Sequence, residues 1–359
     1  MPADSLRCAV RKYLRTDGKQ LRMWEVRGLL VRPATPEDAA AITAVHCSHV
    51  QVWRRGGKGE VVPYDALSPY EQWLHGGPWM NVETCAAYLR GWLEAGHRAL
   101  VALQGDKVVG EAEFVEDEEP PPYGHVLHLS LLFVHAAHRG QGVGRALVEA
   151  GVELARERGC AALTTQPERE AEPFYQRVGF EPWLWLREWQ APAREGPLPA
   201  DLLPADNAPY PAGQGVALRV GRYQTGRHIW MWRELGDRPI PELARLPWGR
   251  WRARMPGGET VWLELRAQPL APTQADGFVW APPGADLRPA VETLQVLAAR
   301  LGFAYVDLLL EEPEGGALAA ALGLEFQTDL TFWRRFVTAP GPSPGPGRSA
   351  TRPGRAASP

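Results

Sequence analysis

The sequence predicts a mixed α/β fold built from two folded units that share one plan. The chain has 359 residues, which is enough for two domains of ordinary size. Strand-like and helical segments alternate with hairpins from 28 to 190, an order that favours a mixed sheet. A second series of similar segments occupies 213–338, after a segment rich in Pro, Ala and Gly.

The composition is typical of a globular protein. Hydrophobic residues make up 45% of the chain, charged residues 23%, and the formal net charge is −3. This charge predicts no general attraction to nucleic acid or to a membrane surface, and no apolar run approaches the roughly 20 residues that cross a bilayer. The four cysteines form no CxxC pair, so neither a disulfide framework nor a metal site is expected. We therefore expect a soluble, cytoplasmic protein without a metal.

Three segments are expected to lie outside the folded units. Residues 1–27 are basic and predict a solvated extension, and residues 191–212 predict a linker. Residues 339–359 are rich in Pro, Gly and Ser and predict a disordered tail. The two domains are accordingly expected at 28–190 and 213–338.

Capping and turn residues place the boundaries of the elements in the first unit. Thr35 followed by Pro36 is typical of a helix start. Gly105 lies at the turn of a hairpin, and Gly159 follows an amphipathic helix. The predicted elements are strands at 29–34, 125–135, 161–166 and 181–190, a hairpin at 98–117, and helices at 35–50, 81–96, 144–159 and 170–179.

The segment HRGQGVGRAL (138–147) lies where the longest predicted strand meets the next helix. Gly140, Gly142 and Gly144 let several backbone N–H groups converge at the N-terminus of that helix, where the helix dipole favours an anion. This arrangement predicts a phosphate or pyrophosphate site, with a tight strand–helix connection as the alternative. The spacing matches neither a triphosphate-binding loop nor a dinucleotide fingerprint.

Three separate motifs in this unit resemble the GCN5-related N-acetyltransferase (GNAT) superfamily. They are the loop Arg139-Gly140-Gln141-Gly142-Val143-Gly144, the segment PFYQRVGF (173–180) and the segment VRPATPEDAAAI (31–42). The motifs follow the order of the family and cover nearly all of 28–190. One departure is Ala136, where the family often has proline, and it leaves the donors of the loop unchanged.

The resemblance implies a site for acetyl-CoA. In this family the strand before the loop separates from the next parallel strand, and the pantetheine arm lies in the gap. Main-chain groups of Phe133 and Val134 would contact the pantetheine, and the N–H of Val134 would polarise the thioester carbonyl. The pyrophosphate would be held by Arg139, Gly140, Gln141, Gly142, Val143, Gly144 and Arg145.

The resemblance also implies catalytic residues, because acetyl transfer needs a base, oxyanion stabilisation and an acid for the leaving thiolate. Tyr175 matches the general acid of the family, with a packed aromatic residue as the alternative. His128 stands where many members have their base, and strand alternation predicts that it shares a face with Val134. A buried, hydrogen-bonded histidine is an equally open interpretation, and Glu111 and Glu113 are the runners-up.

Aromatic residues before the hairpin are the expected acceptor site. Tyr70, Trp73 and Trp79 would suit an apolar or cationic amine, since indole and phenol faces attract cations. Core packing is the alternative interpretation of these residues.

The second unit aligns with the first but lacks its chemistry. Residues 277–333 can be laid on 132–186, which places Arg288 on Arg145 and Gly323 on Gly179. The glycine loop shortens to PPGAD, and PFYQRVGF becomes ALAAALGL, without the tyrosine. The sequence thus predicts tandem GNAT-like domains, of which the second is degenerate, in a monomer with a pseudo-dimeric pair or in a homodimer.

The predicted activity is transfer of an acetyl group from acetyl-CoA to a primary amine of a small acceptor, by direct attack in a ternary complex. One alternative is a different acyl donor, an O-linked acceptor or a protein amine. Another is an acyl-CoA sensor or interaction protein without catalysis, which would keep the loop but need neither base nor acid.

Overall fold

The structure is a computed structural model that describes residues 11–16, 19–26, 28–237 and 239–337. Its strands are β1 Arg11–Thr16, β2 Lys19–Val26, β3 Leu29–Pro33, β4 Arg98–Gln104, β5 Lys107–Glu119, β6 Gly124–Val134, β7 Ala162–Thr165, β8 Glu181–Pro192, β9 Leu203–Pro204, β10 Ala217–Val220, β11 Trp248–Arg254, β12 Thr260–Gln268, β13 Ala271–Ala281, β14 Tyr305–Glu311 and β15 Glu325–Phe336. Its α-helices are α1 Ala39–Cys47, α2 Pro69–Trp73, α3 Val82–Glu94, α4 Val143–Glu157, α5 Glu172–Arg177, α6 Gly226–Trp232, α7 Pro241–Ala244, α8 Arg288–Arg300 and α9 Glu314–Leu322. No helix within these ranges is long and apolar enough to span a bilayer.

The strands in the described ranges form one continuous sheet. Their order is β1-β2-β3-β4-β5-β6-β7-β15-β8-β14-β10-β13-β12-β11-β9. The pairs β6–β7 and β13–β14 are parallel, and the other pairs are antiparallel. We refer to β1–β8 with α1–α5 as the N-terminal half and to β9–β15 with α6–α9 as the C-terminal half.

The elements predicted for 28–190 are present with shifts of a few residues at their ends, and the largest difference lies before them. Residues 11–26, expected as a solvated extension, form the antiparallel strands β1 and β2, and β2 pairs with β3. Trp24 and Val26 are buried in the core under α4, and this apolar burial explains why the segment joins the sheet. The expected tail at 339–359 lies outside the described residues.

The two halves exchange their last strands at the centre of the sheet. β15 lies between β7 and β8, and β8 lies between β15 and β14. The β8–β15 pair is antiparallel, with Glu181 opposite Arg334 at one end and Gln190 opposite Glu325 at the other. Each half therefore completes its sheet with a strand from the other half.

A bulge in β6 sets the directions of the side chains near the end of that strand. Opposite β5, the register shifts between the pairs Glu113↔Leu131 and Phe114↔Leu129, so Ser130 is the extra residue. Leu129 and Leu132 both pack in the core under α4. The prediction that His128 and Val134 share a face is therefore wrong, because the bulge reverses the alternation between them.

Candidate active site

The parallel strands β6 and β7 open a gap beyond their short ladder. Their recorded pairs run from Val126↔Ala162 to His128↔Thr164, and β6 then continues to Val134. The chain after β7 turns away into α5. The end of β6 therefore faces an opening in the sheet.

Main-chain polar groups of β6 point into this gap. The N–H of His135 donates to the carbonyl of Val109 on β5, at 2.9 Å. Because successive residues of a strand point their polar groups to opposite sides, those of Val134 point away from β5. The ring of His49 donates to the Val134 carbonyl at 2.8 Å, which agrees with this direction. The main-chain groups of Phe133 face β5 instead, and its ring stacks on His46 with centroids 4.2 Å apart.

The glycine loop forms an open cradle at the start of α4. Gly140 and Gly142 have φ angles of 76° and 87°, in the left-handed region that favours glycine. A Cβ on either residue would meet no atom within 4 Å, so the space beside the loop is free. The N–H groups of the first turn of α4 have no acceptor inside the helix, and with the helix dipole they favour an anion.

A cavity of about 550 Å³ joins the gap to the glycine loop. It is lined by Leu132 and Val134 from β6 and by Phe174 and Tyr175 from α5. The lining also includes most of the predicted loop residues, namely Arg139, Gly140, Gly142, Val143, Gly144 and Arg145, together with Arg177, Glu168 and Glu170. Gln141 lies beside it, where its amide donates to the carbonyl of Ala137 at 3.2 Å. The cationic groups and free N–H groups suit a ligand that carries a pyrophosphate.

Tyr175 lies in the wall of this loop cavity as a buried side chain that is 7% exposed. Its ring contacts Phe174 and Phe180, with centroids 5.1 and 5.4 Å away. Burial raises the pKa of Tyr175 to about 12, partly offset by the hydroxyl of Thr165. The phenol is therefore protonated at neutral pH and is available as a proton donor.

His128 is fully buried, and both of its ring nitrogens are hydrogen bonded. Thr164 Oγ1 lies 3.0 Å from Nδ1, and Gln224 Oε1 lies 2.6 Å from Nε2. The amide oxygen of Gln224 only accepts, so Nε2 carries the proton and Nδ1 accepts from Thr164. Burial lowers the pKa of His128 to about 3. The geometry matches the interpretation of a bonded, buried histidine.

Glu113 and Glu111 lie on the face of the sheet opposite α4, toward α1 and α3. Glu113 accepts hydrogen bonds from Trp79 Nε1 and from the hydroxyl of Tyr88, both at 2.8 Å. Glu111 Oε1 lies 2.6 Å from Nε2 of His46. Burial raises the pKa of Glu111 to about 8, and burial together with the nearby Glu111 raises the pKa of Glu113 well above its ordinary value. Both carboxyl groups are thus enclosed by protein partners.

A second cavity, of about 280 Å³, lies between the two halves next to the bulge. Trp73, Trp79 and Ser130 contribute from the N-terminal half, whereas Tyr70 is outside this lining. The C-terminal half contributes Tyr223, Gln224, His228, Ile229, Trp232, Arg233, Asp237, Leu243, Leu246, Pro247, Trp248, Arg266, Ala267, Pro269 and Asp276. We call this space the junction cavity.

Gln224 of the C-terminal half links the junction cavity to β6. Its Oε1 accepts from His128 and from Nδ1 of His228, the latter at 3.1 Å, and its Nε2 donates to the carbonyl of Ser130 at 3.4 Å. Gln224 was not predicted from the sequence, because its hydrogen-bond partners on β6 lie far away in the chain and no local pattern marks such a glutamine.

In the C-terminal half, a strand occupies the corresponding gap and a carboxylate binds a donor at the corresponding helix start, although a cavity of about 190 Å³ remains there. β13 and β14 are parallel from Gln274↔Tyr305 to Asp276↔Asp307, as β6 and β7 are. β10 then lies between them and pairs with both strands. At the start of α8, the side chain of Asp286 accepts from the N–H of Arg288 at 3.0 Å. A strand and a carboxylate therefore occupy the places that are open in the N-terminal half.

One group of three potential metal ligands occurs in the described part of the chain, far from the glycine loop. Glu116, His125 and Cys160 place their ligand atoms within 4.8 Å of one another. Arg158 Nε forms an ion pair with Glu116 at 2.5 Å, which places a competing cation on this carboxylate. The group lies at the start of β6, whereas the loop follows its end.

Comparison with known proteins finds a similarity to GNAT acetyltransferases in the N-terminal half. Residues 62–180 match the model of the Acetyltransferase (GNAT) family. N-acetyltransferase 8B of Rattus norvegicus is 33% identical over 125 residues, which cover 32% of this chain and 56% of that protein. The glucosamine 6-phosphate N-acetyltransferase of Trypanosoma brucei brucei is 28% identical over 75 residues, covering 21% of this chain and 51% of that protein. The chain thus spans about half the length of these curated relatives.

Solved structures extend the similarity of fold beyond the matched domain. The GCN5-related N-acetyltransferase of Anabaena variabilis has a TM-score of 0.50 and 12% sequence identity, covering 86% of this chain and 73% of that one. At this identity the likeness concerns the fold alone.

Proposed function

We propose that the chain is an acetyl-CoA-dependent N-acetyltransferase that acetylates a primary amine by direct attack in a ternary complex. The observation that carries this proposal is the gap beside Val134, which opens onto the glycine cradle and is lined by Tyr175. The loop residues would hold the pyrophosphate, and the gap would hold the pantetheine arm.

Two steps of the reaction have candidate groups in the N-terminal half, namely oxyanion stabilisation and protonation of the thiolate. The thioester supplies the acetyl group, and the N–H of Val134 would stabilise the oxyanion that forms when the amine attacks. When the carbon–sulfur bond breaks, the phenol of Tyr175 would give its proton to the thiolate. The high pKa of Tyr175 keeps that proton in place until the thiolate forms.

We further propose that the C-terminal half is a degenerate GNAT-like domain that builds the acceptor site. Its own gap holds β10, and its helix N-terminus is capped by Asp286, so acetyl-CoA would bind only to the N-terminal half. Most of the junction cavity is formed by this half.

A thiol-release screen tests the proposed reaction. The full chain is incubated with acetyl-CoA and a panel of polyamines, amino acids, arylalkylamines, antibiotics and peptides, and acetyl-CoA binding is measured by calorimetry. We expect one acetyl-CoA per chain and amine-dependent thiol release. Binding without release across the panel would overturn the enzyme and favour an acyl-CoA sensor.

A further inference from the structure

The junction cavity brings a carboxylate of the C-terminal half next to a wall of indole rings. Asp237 lines this cavity together with Trp79, Trp232 and Trp248. The ring centroids of Trp79 and Trp232 lie 6.2 Å apart, and Trp232 hydrogen bonds to Asp237. A carboxylate beside indole faces suits an ammonium ion, because the charge and the ring quadrupoles both attract a cation.

Most of the other charged groups on the lining have partners within the protein, although Nη1 of Arg266 is a buried donor without a partner among the described residues. The guanidinium of Arg266 pairs with Glu264, and that of Arg233 donates to two main-chain carbonyl groups. Asp276 on the neighbouring strand accepts from the amide of Gln268 at 2.8 Å. Asp237 is therefore the lining carboxylate that is best placed to meet a ligand.

The rest of the lining and the volume of the cavity restrict the size and character of that ligand. Ile229, Leu243, Leu246, Pro247 and Pro269 give the cavity apolar surface around the indole rings. A volume of about 280 Å³ lies just below the range typical of drug-sized ligands. A small molecule with an apolar body fits this space, whereas a polyamine would place charged or polar nitrogens against apolar groups.

The junction cavity and the acetyl-CoA gap lie along the same strand, with Ser130 of the cavity about 13 Å before Val134 of the gap. Ser130, the bulged residue of β6, lines it, and Gln224 bonds to the Ser130 carbonyl. The acetyl-CoA gap begins on the same strand just beyond this bulge. An amine in this cavity would approach the thioester from the side opposite the glycine loop.

We propose that the junction cavity binds the acceptor as a small arylalkylamine, and that Asp237 binds its ammonium group and removes a proton from it. The inference rests on the proposed acetyltransferase function. In the proton transfer, an N–H bond of the ammonium ion breaks, an O–H bond forms on Asp237, and the lone pair left on nitrogen attacks the thioester carbon.

The ionisation of Asp237 agrees with this role. Burial raises its pKa to about 6, with Arg266 and Arg233 acting against the rise. Above this pH the carboxylate is charged and can accept a proton, and below it the group is neutral. The ionisable groups that act on Asp237 or share its cavity are Arg233, Arg266, Glu264, Asp276, Tyr223 and His228.

Steady-state thiol release with phenethylamine, ethanolamine and spermidine tests the proposal. For the full chain we expect kcat/KM to be highest with phenethylamine and to rise with pH through about 6. Asp237→Asn is expected to lower kcat with phenethylamine by about 10²-fold and to abolish that rise. Asp329→Asn, in an exposed ion pair outside the cavity, is the matched control and keeps the rise. Asp276→Asn changes the other lining carboxylate, whose pKa burial also raises to about 6, and loss of the rise in that variant alone would overturn the assignment to Asp237. Unchanged acetyl-CoA affinity shows that each variant is folded, and Asp237→Glu is expected to recover part of the activity.

The possible failures point to different conclusions. Spermidine or ethanolamine used as well as phenethylamine would overturn the arylalkylamine class. A pH rise that persists in Asp237→Asn would overturn the role of the carboxylate. Failure of all the amines in the wider screen to release thiol, with acetyl-CoA bound, would instead overturn the proposed enzyme.

Discussion

Arg222 of the C-terminal half forms a bidentate ion pair with Glu119 of the N-terminal half through two buried hydrogen bonds. Nη1 and Nη2 lie 2.9 and 2.8 Å from the two carboxylate oxygens, and both side chains are almost fully buried. The same carboxylate accepts from the N–H of Leu218 in β10 at 2.8 Å. The pair therefore ties the strand that fills the second gap to the end of β5.

Breaking this pair is expected to destabilise the whole chain. Glu119→Gln leaves the guanidinium of Arg222 buried without its counter-charge, and the free energy of unfolding should fall by about 3–5 kcal/mol. Urea denaturation measures the change. Asp329→Asn, in an exposed ion pair with Arg187, is the control and should lower it by at most about 1 kcal/mol. Equal effects of the two variants would contradict the expectation.

Removing residues 200–359 should prevent the N-terminal half from folding stably. The truncation removes β15 from between β7 and β8 and takes Trp333 out of the core under α4. We expect the fragment 1–199 to lack a cooperative thermal transition. A folded fragment with full activity would show that the exchanged strand is dispensable.

Glycine substitutions distinguish a role of the loop in binding acetyl-CoA from the backbone strain that valine causes at any glycine with a positive φ angle. Gly142→Val forces a β-branched residue into the left-handed region, and blocking the cradle should weaken acetyl-CoA binding at least about tenfold. Gly159 and Gly284 have similar φ angles and equally free surroundings. Valine at either control position should leave the dissociation constant unchanged in calorimetry. Weaker binding in Gly284→Val would argue for a second acetyl-CoA site.

Tyr175→Phe should slow turnover without weakening acetyl-CoA binding. Loss of the phenol removes the proton donor for the thiolate, and we expect kcat to fall by roughly 10²-fold. Thiol-release assays measure kcat, and calorimetry measures the affinity for acetyl-CoA. Tyr64→Phe, which loses a hydroxyl bonded to the Met80 carbonyl, is the control and should retain kcat. An unchanged kcat in Tyr175→Phe would assign the thiolate proton to another donor.

His128 should make the fold sensitive to acid. Its pKa is about 3 in the folded state and about 6.5 when exposed, so the unfolded chain binds the proton first. The stabilisation is complete above pH 6.5 and falls by about 1.4 kcal/mol per pH unit as the pH drops toward 3. Urea denaturation measures the free energy of unfolding between pH 6.5 and 5. In His128→Gln, the part of its decrease that is due to His128 should be absent. An identical pH slope in both proteins would contradict the buried, neutral state of His128.

Local sequence signals predicted most elements of the N-terminal half. Gly105, Gly159, Gly140 and Gly142 take positive φ angles where a turn, a helix end or a cradle was expected. The positions of α4 and the hairpin could be predicted because they depend on residues close together in the chain. Contacts between such residues form independently of the rest of the protein.

Features that depend on distant partners escaped the sequence analysis. The bulge at Ser130 is set by pairing with β5 and reversed the predicted face of His128. Gln224, β10 and β15 act on strands more than ninety residues away, and no periodicity within a segment specifies such a partner. The strands β1 and β2 were predicted as a solvated extension because the sequence of this segment is basic.

The exchanged strands also determine when the protein can fold during its synthesis. β7 cannot pair with β15 until β15 has been synthesised, and β15 is the last of the described strands in the chain. The edge of the N-terminal sheet at β7 therefore stays unpaired while the rest of the chain leaves the ribosome. N-terminal domains usually fold first, as soon as they emerge. Here the two halves must mature together, and a nascent chain that stalls before residue 325 exposes unpaired edges to chaperones or to aggregation.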